Sequence, residues 1–452
     1  MSALAKLLLA RGVSVSGSDV QASPLTQELS NLGATVTIGH TASAVDGAAR
    51  VVISDAIHAG NPELRRAREL RLPVIRRSKL LAELMADRRG IAVSGTHGKT
   101  TVTAMIGLIL MEAGLEPTVV LGGEYEAFGG NALAGAGEWV VVEACEAYES
   151  YLDLAPDVAV ITNIEADHLD HHKTEAHLRE SFERFLDNIR PGGSAVLCAD
   201  REELRSLGAG SGRPVVTYGL TAGADVRGGK AEMAGASGAC RLVIDGADRG
   251  ELRVQVPGIH NLVNALGATA AALQAGVTAD ACRMALAKFT GVGRRFEILG
   301  EAGGIAIIDD YAHHPTEITA TLAAARAAYP GRRLVAVFQP HLYSRTRDFA
   351  DGFVRALEPA DVVVMIDIYP AREDPLPGVT SGMIGGPLRE RKGKDAVFEL
   401  AKDDIPVKLP EVTRSGDVVL LMGAGDIGDK AREFAIRLGA RFEGSQPLTP
   451  AK

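Results

Sequence analysis

The sequence predicts an α/β protein of three domains: a doubly wound N-terminal domain without its first strand, a central domain on a parallel sheet with an antiparallel extension, and a C-terminal domain of alternating strands and helices. Three observations predict it. Short apolar runs alternate with amphipathic stretches of about ten residues along most of the chain, which is the signature of βαβ units. That alternation restarts twice, after "ADRRG" near Asp87 and after "GVGRRFEILGE". A length of 452 residues also exceeds what one ordinary core accommodates.

The elements follow in order. Residues 1–88 read as helix and strand in turn: "ALAKLLLARG", "VSVSGSD", "LTQELSNLGA", "TVTIG", then "RVVIS", "PELRRARELR", "LPVIR" and "KLLAELMAD". The chain opens on a helix, whereas a doubly wound domain begins with its central strand and a glycine-rich turn. The expectation is therefore that the native protein starts upstream of Met1, with about twenty further residues supplying that strand and turn. Residues 89–295 form the second domain, with buried-type strands "IAVSG", "WVVVE", "VAVITNI" and "SAVLCA". The Gly-rich stretch "GGKAEMAGASGACRLVIDGADRGELRVQV" alternates in the manner of an antiparallel extension, and the helix "NLVNALGATAAALQAG" follows it. Residues 296–452 repeat the strand–helix pattern through "GIAIIDDY", "RLVAVFQP", "DVVVMIDIY" and "DVVLLMGAGD".

Composition narrows the function. Hydrophobic residues make up 46% and there is one tryptophan, as in soluble α/β proteins. A formal charge of -9 argues against nucleic acid or an anionic membrane as partner and leaves small anionic substrates open. The four cysteines lie far apart with no C-x-x-C pair, so neither a zinc site nor a disulfide framework is indicated, and reduced cytosolic thiols fit. The most apolar run, "VTAMIGLILMEAG", is broken by Glu112 and reads as a packed helix rather than a membrane span. With no signal peptide, the expected location is cytoplasmic. The oligomeric state stays open.

"SGTHGKTT", Ser94–Thr101, lies between an apolar strand and a helix, the context of a phosphate-binding loop. Small residues let backbone N–H groups converge on phosphate oxygens at a helix N-terminus. Gly95, Thr96, His97, Gly98 and Thr101 supply that loop, Lys99 reaches the β and γ phosphates from a solvent-facing position, and the Thr100 hydroxyl reaches magnesium. The spacing departs from G-x-x-x-x-G-K-[ST], whose first glycine falls on Val93. In "VVEACEAYESYLDLAPDVAVITNIEADHLDHH", carboxylates at Glu143 and Glu146 and the pair Asp167–His168 each follow an apolar run. If those runs flank "IAVSG" in one parallel sheet, Glu143 and His168 emerge at the same carboxyl edge as Lys99 and Thr100. Glu143 then completes a magnesium site, and His168 serves a second one, although magnesium prefers oxygen ligands.

"GIHNLVNALGA" sets His260, Asn261 and Asn264 in the first turn of a helix, either as caps or for purine recognition. Arg294 and Arg295 in "GVGRRF" are either solvated charges or a clamp for a γ-phosphate. Two clusters end strands of the third domain: Asp310, Tyr311, His313 and His314 in "DDYAHHPTEI", and His341, Tyr343, Arg345 and Arg347 in "FQPHLYSRTRDF". His314 and Pro315 read as the turn into the next helix, and Arg345 suits a small carboxylate.

Taken in order, "GTHGKTT", "TNIEADHLD", "GIHNLVNALGA", "GVGRRFE", "DDYAHHPTEI", "QPHLYSRTRDF", "IYPAREDPLPGV" and "MGAGDI" resemble the Mur ligase family over nearly the whole chain. The resemblance implies an ATP- and Mg2+-dependent ligase that joins L-alanine to the lactyl carboxylate of UDP-N-acetylmuramate through an acyl phosphate, in peptidoglycan precursor synthesis. It implies that residues 1–88 form a Rossmann-like domain, its first strand missing, that holds the UDP-sugar, with Ser18 and Asp19 on that side, that 89–295 form a phosphate-loop ATPase-type domain that holds ATP, and that 296–452 form a Rossmann-like domain that holds the amino acid. Thr100 and Glu143 would share one magnesium, and Glu143 and His168 the other. His260, Asn261 and Asn264 match residues near adenine, Arg295 a γ-phosphate contact and Asp310 a nucleotide contact. Tyr311, His313, His341 and Arg345 match the alanine side. The family's opening "GIGGxGMS" loop is absent apart from Met1 and Ser2, and "EACEAYESY" stands where "EADESDxSF" is commoner. The alternatives are a family member that recycles a tripeptide onto the same sugar, and a nucleotide-gated binding protein with no ligase activity.

Overall fold

The computed structural model describes residues 1–166, 172, 174–371 and 373–441. It divides into two compact units: residues 1–229 with 241–250 and 263–286, and residues 287–452 with 230–240 and 251–262.

The first unit opens with helix α1 (Ser2–Ala10), strand β1 (Ser16–Asp19), α2 (Pro24–Asn31) and β2 (Thr35–Ile38). β3 (Val51–Ile53), α3 (Pro62–Glu69), β4 (Val74–Arg76) and α4 (Arg77–Met85) come next. Start signals written in the sequence are used here: Ser23 caps α2 through a capping box with Thr26, and Asn61 caps α3 ahead of Pro62. The four strands pair in parallel two by two, β1 with β2 and β3 with β4, in two separate sheets rather than one.

A ten-stranded sheet follows, built from β5 (Arg89–Ser94), β6 (Thr118–Tyr125), β7 (Gly130–Leu133), β8 (Trp139–Glu143), β9 (Val158–Ile161), β10 (Ser194–Cys198), β11 (Val215–Gly219), β12 (Val226–Ala234), β13 (Ser237–Ile244) and β14 (Ala247–Val254). Their order is β14-β13-β12-β11-β10-β9-β5-β8-β6-β7. β5 therefore lies between β8 and β9, parallel to both, with Val93 opposite Glu143 and Ser94 opposite Ile161. The expected extension is the run β12 to β14, whose last turn has Asp245 and Gly246 at φ 50 and 79, as a two-residue hairpin requires. The antiparallel β7 on β6, at the opposite edge, is a feature the sequence reading does not contain. Helix α5 (Lys99–Glu112) is buried from Thr100 to Leu110, which accounts for its apolar run without a membrane. Among the described residues no helix is long and apolar enough to cross a membrane.

In the second unit β15 (Glu297–Ala302), β16 (Ile305–Asp310), β17 (Arg333–Phe338), β18 (Val362–Ile366), β19 (Val397–Leu400) and β20 (Asp417–Met422) form a sheet ordered β15-β16-β20-β17-β18-β19. All pairs whose register is defined are parallel except β15 with β16. Neighbouring residues feed opposite faces, as strand geometry dictates: Ile308 and Phe338 pack with Leu322 and Phe353, whereas Ile307 and Val337 pack with Leu421 and Phe434. Both faces being covered, the inner strands β16, β17, β18 and β20 carry polar residues only toward their ends.

Candidate active site

The glycine-rich loop leaves β5 and enters α5 as the sequence predicts. Gly95 adopts φ 123, and a Cβ there would lie 2.2 Å from Thr162 Oγ1, so no side chain is tolerated. Gly98 caps α5 at φ 85, and a Cβ on it would meet Asn264 Oδ1 at 2.8 Å. The segment after β9 clasps the loop from the other side. Thr96 N donates to the Asn163 carbonyl (3.0 Å), His97 N donates to Asn163 Oδ1 (2.9 Å), and Asn163 Nδ2 donates to the His97 carbonyl (3.1 Å). Glu165 N donates to Thr96 Oγ1 (2.8 Å), and the Glu165 carboxylate lies 3.3 Å from His97 Nε2 and 3.7 Å from Arg201. "TNIE" thus shapes the loop, a role for Asn163 and Glu165 that the sequence reading does not assign. His168, expected at a second magnesium position, and its neighbour Asp167 lie outside the described residues.

β8 delivers Glu143 to the same edge. Its Oε2 accepts from Thr100 Oγ1 (2.9 Å) and from Gly122 N (2.8 Å), so a hydroxyl and a carboxylate stand side by side at the loop's end. This all-oxygen pair fits a magnesium ion. Lys99 is not solvent-facing, contrary to the sequence expectation: its side chain is 13% exposed and its Nζ lies 2.9 Å from the carboxylate of Glu146, which is 2% exposed. Two loop carbonyls, Gly95 at 2.5 Å and Thr96 at 3.1 Å, also accept from it. Burial opposes the ammonium charge, but Glu146, Cys145 and Glu143 hold it above the ordinary lysine range. Glu146 was visible as a carboxylate three residues after Glu143, yet nothing in its spacing named Lys99 as its partner.

The helix Ile259–Gln274 separates the roles of its first-turn residues. Asn264 reaches Gly98 of the loop. Asn261 is buried and donates to the Pro257 carbonyl at 2.7 Å, which is a turn-fixing bond, while His260 is exposed.

In the second unit the ends of β16 and β17 bring the predicted cluster together. Tyr311 carries two guanidinium groups over its ring, Arg294 at 5.0 Å and Arg295 at 4.8 Å. Arg295 also lies 3.6 Å from Glu317, to which His313 Nδ1 approaches within 3.2 Å. The His313 and His341 rings are 6.0 Å apart, and His341 stacks on Tyr369. Buried Arg345 donates to His341 Nδ1 (3.4 Å), which places the ring proton on Nε2 because a guanidinium only donates. His314 caps the helix Pro315–Ala328, as its turn reading requires. Asp310 is buried with both oxygens on backbone amides, of Phe296 and Ala312, each at 2.7 Å. It fixes the turn from which Tyr311 and Arg295 project.

Burial pushes the Asp310 carboxyl up to about 6 against Arg295 and the two amides, and lifts neighbouring Asp309 to about 6 against Arg294 and Arg432. The sign follows from proton binding. Between the ordinary carboxyl range and pH 6 the folded protein holds these protons and the unfolded chain does not, so stability contributed by them falls as pH rises through that window. At about 1.4 kcal/mol per unit, the loss is on the order of 3 kcal/mol per group at most. Asp309→Asn mimics the protonated form. Its unfolding free energy relative to wild type is expected to rise from pH 4 to pH 7 in denaturant titrations, and a flat difference would contradict the assignment.

A strand with parallel neighbours on both sides that runs into a glycine-rich loop, with a lysine, a threonine and a carboxylate meeting at its end, defines a phosphate-loop protein of the nucleotide-using kind. The comparisons with known proteins narrow this. Residues 1–89 match the Mur ligase family catalytic domain, 93–272 the Mur ligase middle domain, and 294–425 the Mur ligase glutamate ligase domain. The UDP-N-acetylmuramate–L-alanine ligase of Salinibacter ruber is 44% identical over 435 residues, 96% of this chain and 92% of that protein. The enzyme of the same name from Geobacter sp. is 42% identical over 98% of this chain and 96% of its own length. Among solved structures, the UDP-N-acetylmuramate-alanine ligase of Thermotoga maritima superposes with a TM-score of 0.84 at 30% identity, covering 98% of this chain and 97% of that one. A murein peptide ligase from Psychrobacter arcticus gives a TM-score of 0.72 at 25% identity, over 97% and 96% of the two chains. The chain belongs to the Mur ligase family.

Proposed function

We propose that this protein is an ATP-dependent ligase that joins L-alanine to the lactyl carboxylate of UDP-N-acetylmuramate in the cytoplasm, as a step of peptidoglycan precursor synthesis. The observation that carries the reading is the match to relatives of that name over nearly the whole of both chains, on a chain that keeps Lys99, Thr100 and Glu143 together at one loop. Residues 1–88, with Ser18 and Asp19, take the UDP-sugar; 89–295 take ATP; 296–452 take L-alanine. Lys99 and the loop amides hold the nucleotide phosphates, and Asn264 steadies the loop. Thr100 and Glu143 would hold magnesium, which supplies charge neutralisation on the phosphate oxygens.

The chemistry follows from positioning. A lactyl carboxylate oxygen attacks the γ-phosphorus in line, the bond to the β-γ bridging oxygen breaks, and ADP leaves with an acyl phosphate behind. The L-alanine amine then attacks the acyl carbon, loses a proton, and phosphate departs carrying the oxygen that began on the carboxylate. Arg345 and the His313–His341 pair receive the amino acid, the guanidinium on its carboxylate. UDP-N-acetylmuramate labelled with 18O in the lactyl carboxylate should therefore deliver one labelled oxygen to inorganic phosphate, read by mass spectrometry together with the alanyl product. Unlabelled phosphate alongside product would overturn the acyl-phosphate route.

Arg345→Ala is expected to raise KM for L-alanine by at least roughly tenfold while KM for ATP moves little, because a two-pronged charged contact is lost on one substrate alone. Steady-state titrations of each substrate decide this. A shift confined to ATP would move Arg345 to the nucleotide side.

A further inference from the structure

Beside the phosphate loop, the turn after β8 holds two consecutive residues with a Cβ in left-handed backbone, Tyr148 and Glu149, both at φ 53. Such conformations each cost on the order of 1 kcal/mol or more and persist where the surroundings impose them. Ser150 Oγ donates to the Cys145 carbonyl at 2.9 Å, and the buried His172 ring donates through Nε2 to the Glu146 carbonyl at 3.2 Å. The outcome is a buried Glu146 whose Oε1 and Oε2 lie 3.0 and 2.9 Å from Lys99 Nζ. With the carbonyls of Gly95 and Thr96 added, every proton of the ammonium has an acceptor. A phosphate cradled by the loop requires those same protons.

We propose that Glu146 is a positioning residue that competes with nucleotide phosphate for Lys99, so that phosphate entry must break the Lys99–Glu146 pair and Glu146 thereby sets nucleotide affinity and exchange. The proposal rests on nucleotide binding at this loop, as read above. A carboxylate and a phosphate placed around one ammonium repel each other strongly in a site as enclosed as this one. Glu146 must therefore turn away or find a new partner, and both cost binding free energy. The benefit lies on the other side of the equilibrium: the pair keeps a buried lysine charged and aimed into the loop.

Calorimetric titration of ADP in the presence of EDTA, on wild type, Glu146→Gln and Glu146→Asp, tests it. Glu146→Gln keeps the shape without the charge and is expected to lower Kd about tenfold, equivalent to about 1.4 kcal/mol. Glu146→Asp keeps the charge but withdraws it by one methylene, and its Kd should fall between the two. A residue with a merely structural role would weaken binding when replaced. Glu146→Gln binding ADP no more tightly than wild type, with its unfolding transition intact, overturns the proposal. If that variant does not fold, Glu146→Asp decides by the same criterion. Wild type failing to bind ADP would instead overturn the nucleotide reading, and the proposal with it.

Discussion

Lys99→Ala is expected to lower turnover by about a thousandfold or more and, at the same time, to destabilise the fold. The first effect follows from the position of Nζ, which stands over the loop between the carbonyls of Gly95 and Thr96 and would neutralise charge moving onto the departing diphosphate. The second follows from Glu146. Removing the lysine takes a positive charge away from a carboxylate that is 2% exposed, and breaking a buried pair from one side costs about 3 to 5 kcal/mol. The two effects separate in a double variant. Adding Glu146→Gln to Lys99→Ala should restore most of the unfolding free energy and none of the turnover. Denaturant titrations and a rate assay on the same three proteins check this. Turnover returning with stability would mean that Lys99 acts only as a structural partner of Glu146.

Glu143→Ala should cut the rate by at least about a hundredfold and raise the magnesium concentration needed for half-maximal rate. Its Oε2 is the shared acceptor of Thr100 Oγ1 and Gly122 N, so alanine removes the carboxylate bonded to Thr100, its partner in the proposed magnesium site. A purely structural loss would lower the rate equally at all magnesium concentrations. The titration distinguishes these cases at saturating ATP, and near-normal activity at ordinary magnesium would remove Glu143 from the metal site.

Much of the loop was legible because its elements are local in the chain. The strand, the small residues and the helix of "IAVSGTHGKTTVTAM" are contiguous, and Gly95 and Gly98 stand in it where the backbone takes positive φ. The alignment of Glu143 with the loop was an inference about sheet order, and β5 does lie between β8 and β9. Partners set by tertiary contact were not legible. Glu146 meets Lys99 only because an irregular turn with two left-handed residues folds it inward, and no periodicity announces such a turn. Asn163 reads as a strand-end residue until the loop is seen to hydrogen-bond both ends of its amide. Asp310 likewise has partners that no pattern announces, the backbone amides of Phe296 and Ala312. The β6–β7 pairing escaped for a similar reason: "GNAL" has neither the length nor the alternation of a strand, and its place is given by the edge it covers.

The most direct test of the central claim is phosphate release from ATP with UDP-N-acetylmuramate and an amino component supplied separately and together. The expected result is release at full rate only when ATP, UDP-N-acetylmuramate and L-alanine are all present, with one phosphate formed per alanyl product. Full-rate release with a tripeptide in place of L-alanine, or release that ignores the UDP-sugar, would contradict it.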